Sequence, residues 1–325
     1  MNRRTFLKSS GLLLASAACD SPIRPSTIVP DETGKFSDPN LAKDVKDNWS
    51  PYINVQSTGE ALDAYRDSLS LLLQKEQLDG VRVGIDRGGE GLNNPVIRMI
   101  DSLGIEMLGL IDNLYLFEPN NIEQWIDRIF SAYPEIRYFQ VGNEITTIPP
   151  RTMPIEQYMA VLNRIYHHVQ TLHPGRAILV TQSFLGDGLR GPTELQTAKN
   201  LGLTLLDPDK IIIAINSYNP ENVSQYVGIL ESMTYTDANK KPKKYRVWVT
   251  ESGINNPDSH ISFVKDRYHF LKDYLRAERV YWYVLWAGDP DGSPDSHAGF
   301  SLTRNPGSYP NYWKSPLFKI LTETN

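Results

Sequence analysis

Eight short apolar runs, each followed by a longer segment with helical spacing, predict an α/β chain closed into a single (β/α)8 barrel. The runs are rich in β-branched and aromatic residues and recur about 25 to 40 residues apart. Strands alternating with helices pair in parallel. Eight such units typically occupy about 250 residues when the sheet closes on itself. A doubly wound open sheet would carry a Gly-rich phosphate loop after its first strand. Here "YINVQS" runs into "TGEAL", which is no such loop.

The N-terminus stands apart from this pattern. "NRRTFLK", Asn2 to Lys8, places two arginines ahead of the apolar run Gly11 to Ala18 and resembles a twin-arginine export signal. "SAAC", Ser16 to Cys19, resembles a lipobox, which makes Cys19 the expected lipidation site, with ordinary cleavage after an Ala-x-Ala site as the alternative. The apolar run is far shorter than the roughly 20 residues that span a bilayer. From Asp20 to about Lys46 the chain is rich in Pro, Ser, Asp and Lys without apolar periodicity, and reads as a disordered tether. The expected organisation is therefore a signal over 1–19, a tether over 20–46 and one barrel domain over 47–325. The expected location is the periplasmic or cell-envelope side of a bacterial membrane, with the lipid as the only membrane contact.

The strands begin near Tyr52 ("YINVQS"), Val81 ("VRVGID"), Glu106 ("EMLGLID"), Ile136 ("IRYFQVGNE") and Ala177 ("AILVTQSF"). Three more start near Lys210 ("KIIIAINSY"), Tyr245 ("YRVWVTES") and Val280 ("VYWYVLWAG"). Helical patterns cover Glu60–Leu78, Ile122–Ala132, Ile155–Leu172 and Ser259–Arg276.

Barrels of this kind build their sites at the C-terminal ends of the strands. Glu144 ends the fourth run and Glu251 the seventh. One glutamate at a strand tip is ordinary solvated surface. Two across one barrel mouth suit glycoside hydrolysis, in which one carboxyl protonates the leaving oxygen while the other attacks the anomeric carbon. Alternation in "VRVGID" turns Val81, Val83 and Ile85 toward the helices and Arg82, Gly84 and Asp86 into the barrel. An inward arginine needs an anionic partner. Asn216 and Tyr218 share one face of the sixth strand, and Trp286 is placed at the end of the eighth.

Asn-Glu ending strand four, Glu ending strand seven and Trp ending strand eight resemble clan A of the glycoside hydrolases, retaining enzymes with a TIM barrel. The resemblance runs from about Trp49 to the C-terminus. It implies Glu144 as acid/base, Glu251 as nucleophile and Asn143 as ligand of the sugar 2-hydroxyl. Arg82 would lie beside the nucleophile, and Tyr218 would hydrogen-bond it. Asn216 stands where the clan often has histidine, and Trp286 would offer its ring to the sugar. "VGNEI" with "TESG" is similar to the β-1,3-glucanase family within the clan. The expected activity is retaining cleavage of a β-linked glycan, by a chain acting as a monomer without cofactor. A catalytically silent glycan-binding barrel and a transglycosylase using the same glutamates are the alternatives.

Other classes find little support. A net charge of −5 gives no basis for nucleic-acid binding. The single cysteine lies in the signal, so no disulfide and no thiol catalyst is expected. No metal site is expected, because His167 and His168 are adjacent on a helix and diverge, and no HExxH or paired cysteine occurs. A metal-dependent hydrolase or an aldolase would want clustered histidines or a lysine at a strand end. Asp86, Gln182, His297 and Trp313 are candidates for lining the cleft but read first as loop or packing residues. Lys240, Lys241, Lys243 and Lys244 read as a solvated loop on the N-terminal face of the barrel, the face from which the tether would enter.

Overall fold

A computed structural model describes residues 39–56, 62–86, 92–147, 152–186, 188–286, 297–304 and 309–323. Cys19, the export signal and the tether up to residue 38 lie outside the described residues. Eight parallel strands close into a barrel: β1 (Tyr52–Val55), β2 (Gly80–Ile85), β3 (Glu106–Ile111), β4 (Tyr138–Val141), β5 (Ile178–Leu185), β6 (Ile211–Asn216), β7 (Val247–Ser252) and β8 (Arg279–Trp282). Closure comes from β1 pairing with β2 on one side and β8 on the other.

Alternation along the strands divides the apolar residues into two layers. Val81, Val83, Ile85, Val141, Ile213 and Val249 face outward, into the shell shared with the helices. That shell includes α2 (Leu62–Gln74), α3 (Pro95–Ser102), α4 (Ile122–Ala132), α5 (Ile155–Leu172), α6 (Arg190–Asn200), α7 (Ser224–Ser232) and α8 (His260–His269, continued by a π turn to Tyr274). Inside the barrel Leu108, Tyr138, Val180, Ile212, Ala214, Trp248 and Tyr281 form a separate cluster that fills the N-terminal half. Above it the inward positions become polar.

The tether ends earlier than its composition suggests. Pro39–Asn48 is a helix, α1, and packs on α8 and on the C-terminal helix α9 (Pro316–Glu323). Leu41, Ala42 and Val45 are buried on one side of it, and Trp49 follows one turn later against Tyr268. That single apolar stripe is diluted by Lys43, Asp44, Lys46 and Asp47, so the stretch looks like tether by composition alone. The lysine-rich segment is likewise more ordered than a plain loop. Thr234–Thr236 and Pro242–Lys244 pair as an antiparallel hairpin ahead of β7, with Lys243 bound to Asp209.

Candidate active site

Local backbone geometry at two strand ends brings the glutamates inward. After Val141 the chain passes through Gly142 at φ +81°, where a side chain would meet Leu116 Cδ1 at 2.8 Å and Asn113 Oδ1 at 3.0 Å. Glycine is required there. Glu144 itself has φ +45°, a strained conformation for a side-chain-bearing residue and one that clusters at functional sites. Asn113 holds the turn. Its Nδ2 donates to the Asn143 carbonyl at 2.9 Å, and its Oδ1 accepts the Asn143 N–H at 2.8 Å.

On β7 strict alternation would point Thr250 inward and Glu251 outward. The structure shows register shifts against both neighbouring strands at this point. The shifts let the two side chains face the barrel together. Thr250 Oγ1 donates to Asn216 Oδ1 at 2.9 Å, and Glu251 reaches Arg82.

One hydrogen-bonded cluster contains both carboxylates. Arg82 is 5% exposed and spends its donors on four partners: Gln140 Oε1 at 2.6 Å, Asn54 Oδ1 at 2.8 Å, Glu251 Oε1 at 2.8 Å and Asn143 Oδ1 at 2.9 Å. The other oxygen of Glu251 accepts the Tyr218 O–H at 2.6 Å. Burial, and then the Glu251 charge, push the Tyr218 phenol well above its ordinary range. Tyr218 therefore keeps its proton at neutral pH and donates it. Glu144, buried, accepts from Asn216 Nδ2 at 2.6 Å. Asn143 Oδ1 joins the two halves, since it also accepts from Ser183 Oγ at 2.9 Å and from Asn216 Nδ2 at 3.3 Å. A cationic donor holds Glu251, and a neutral amide meets Glu144.

Of the residues singled out by sequence, Arg82, Asn143, Glu144, Asn216, Tyr218 and Glu251 come together here. Trp286 does not. Strand β8 ends at Trp282, and Trp286 is a buried residue whose ring lies 6.1 Å from that of Tyr65 on α2. The aromatic residue at the mouth is Tyr283, whose ring meets Tyr218 edge-on at 6.2 Å, with Phe300 and His297 beside it. Alternation explains this: Tyr281 points in, Trp282 out and Tyr283 in again, so the last tryptophan of "YWYVLW" is not the strand tip. His297 thus borders the site, whereas Asp86 is exposed and Gln182 is wholly buried. Trp313, in a short hairpin with Thr303–Arg304, lies under the Arg304 guanidinium at 4.7 Å.

Five site residues escaped the sequence reading: Asn54, Asn113, Gln140, Ser183 and Thr250. Asn54 and Gln140 are the polar interruptions at inward positions of "YINV" and "YFQV" and were open to detection. Ser183 was hidden by a register shift between Val180 and itself.

No protein-family model matches the chain, and no curated protein matches it in sequence. Solved structures do. CJP38, a β-1,3-glucanase and allergen of Cryptomeria japonica pollen, is 15% identical, with 85% of this chain and 100% of that one covered at a TM-score of 0.56. The chain shares the barrel fold of that structure. A monomeric β-xylosidase from Caulobacter crescentus is 13% identical over 85% of this chain and 68% of that one, with a TM-score of 0.57. A β-mannanase from Thermomonospora fusca is 10% identical over 83% and 87%, with a TM-score of 0.52. At these identities the likeness establishes the shared barrel and leaves the chemistry to the site.

Proposed function

We propose that the protein is a retaining glycoside hydrolase that cleaves β-glycosidic bonds of an oligo- or polysaccharide by double displacement. The carrying observation is the pair of inward carboxylates with unlike partners, Glu251 on Arg82 and Tyr218 and Glu144 on Asn216. An ion pair and a phenolic donor, one on each oxygen, suit a carboxylate that must stay charged and oriented to attack. Glu251 would bond to the anomeric carbon as the glycosidic C–O bond breaks, with Glu144 giving its proton to the departing oxygen. Glu144, now ionised, would take a proton from water, whose oxygen displaces Glu251 from the same carbon. Asn216 suits both stages, because its amide N–H can donate to the Glu144 carboxyl whether that group is protonated or ionised. Asn143 has its oxygen committed to Arg82, Ser183 and Asn216, so its Nδ2 is the group left for a sugar hydroxyl.

Aryl β-glycosides and a panel of defined β-linked oligosaccharides test the reading. Hydrolysis lost on Glu251→Ala supports it. Tight glycan binding with no turnover on any member would identify a silent barrel instead.

Export with a lipid on Cys19 is part of the same proposal. Among the described residues no helix is long and apolar enough to cross a membrane. The hairpin bearing Lys243 and Lys244 precedes β7, and the exposed Leu201 and Leu205 precede β6, so both groups lie on the face opposite the carboxylates. A lipid anchor entering on that side would leave the mouth open to glycan. Palmitate labelling that is lost on Cys19→Ser tests the anchor.

A further inference from the structure

Three potential metal ligands converge on the outer helical layer, away from the carboxylate cluster. His168, near the end of α5, and His173, which caps it, each place Nε2 at 2.7 Å from the same atom, Oδ1 of Asp127 on α4. The three ligand atoms all lie within 4.8 Å of one another. We propose that this triad is a site for a borderline divalent transition metal, zinc or a close relative, which clips α4 to α5.

The chemistry of the set chooses the ion. Two imidazoles and one carboxylate suit zinc, copper or nickel and are poor partners for magnesium or calcium, which prefer all-oxygen sites. Tetrahedral zinc binds nitrogen at about 2.0–2.1 Å and carboxylate oxygen at about 2.0–2.2 Å, so its ligand atoms stand roughly 3.3 Å apart. Each Nε2–Oδ1 distance would open by about 0.6 Å from its present value, and the two imidazole nitrogens would draw to a similar spacing. The elements allow such a shift. The Asp127 side chain is 45% exposed and can swing, and His173 stands where α5 ends, its side chain 28% exposed.

The surroundings support an ion there. The Phe130 ring packs against the His173 ring at 5.4 Å and walls one side with carbon. Glu123, one turn before Asp127 on α4, is itself paired with Arg164 through bonds of 2.8 and 2.9 Å, which leaves Asp127 to the two imidazoles. Three protein ligands leave a coordination position for water. Because α5 runs back from the mouth, its C-terminal end belongs to the opposite half of the barrel. The ion would act on stability and leave the glycan chemistry alone.

Sequence spacing hid this site. The adjacent His167 and His168 diverge, as expected, but the partner of His168 is His173, and the third ligand comes from another helix.

The test is calorimetric titration of the full chain, purified without a polyhistidine tag, with zinc chloride, paired with thermal melts. One zinc per chain should bind with low-micromolar affinity or better, and the melting temperature should rise with zinc concentration. His173→Gln and Asp127→Asn should each weaken binding on the order of tenfold or more and abolish the melting shift. His167→Gln should change neither, and magnesium should give no shift. Absence of one-to-one binding by wild-type chain would overturn the site and leave the triad a hydrogen-bonded tie. Zinc binding that persists unchanged in His173→Gln would overturn it equally.

Discussion

Two of the described arginines, Arg279 and Arg82, enter the barrel, and the fold accommodates them in opposite ways. In the N-terminal half, the Arg279 guanidinium lies 4.8 Å from the ring centres of Tyr52 and Tyr138 and 4.1 Å from that of Trp248, with Glu106 as its ion-pair partner. In the C-terminal half, Arg82 meets no aromatic face among its hydrogen-bond partners. It is satisfied by Gln140, Asn54, Asn143 and Glu251. The Arg279 side chain keeps 15% exposure and Arg82 only 5%. A charge stacked on rings at a barrel end contributes mainly to stability. A charge wired into amides and a carboxylate fixes the position of that carboxylate, and a change there moves the site.

The sharpest way to break this comparison is kinetic. Glu251→Ala should lower kcat on an aryl β-glycoside on the order of 10⁴-fold or more. Arg279→Met should leave kcat almost unchanged. Equal losses in the two variants would mean that the halves are not separate. Glu144→Ala should cost about 10²–10⁴-fold on substrates with poor leaving groups and far less on activated ones. A loss that ignores the leaving group would remove the acid role from Glu144.

Stability sharpens the contrast. Arg82→Met leaves the Glu251 charge buried without its cation and should destabilise by about 3–5 kcal/mol in urea unfolding. Arg279→Met forfeits its ring contacts and should cost about 2 kcal/mol. A reversal of that order would show that the aromatic plug, not the polar tier, is the more demanding environment.

The smallest effect comes from outside both halves. His260 is buried at the start of α8, bonded to the Gly299 carbonyl at 2.8 Å, and burial lowers its pKa to about 4. The unfolded chain takes up this proton near pH 6.5, before the folded chain does. Its contribution is therefore complete above about pH 6.5 and fades as the pH falls toward 4. His260→Gln should flatten the pH dependence of stability across that window, measured by urea titrations at several pH values. An unchanged slope would remove that role from His260.

Much of the barrel was legible because each strand carries its own signal. All eight runs became strands, and Ile122–Ala132 and Ile155–Leu172 became helices with those same limits. Local signals were weaker where the fold depends on contacts from afar. The α1 stripe of Leu41, Ala42 and Val45 gains its meaning only against α8 and α9. Within the site, Arg82 and Asn216 followed from alternation, whereas Glu251 beside Thr250 requires a break in it. Trp286 misled because β8 ends at Trp282 and the next inward residue is Tyr283. Asn113 could not be read at all, because its partner Asn143 lies 30 positions away, across a strand boundary.

The central claim is that Glu251 attacks carbon. A 2-deoxy-2-fluoro β-glycoside with a good leaving group, matched to whichever substrate is turned over, should slow release enough to trap the intermediate. Mass spectrometry of the digested protein should then find the fluoro-sugar on the peptide containing Glu251, and none on that of Glu144. A label on any other residue, or turnover of the parent glycoside with no adduct and an inverted first product, would contradict the account.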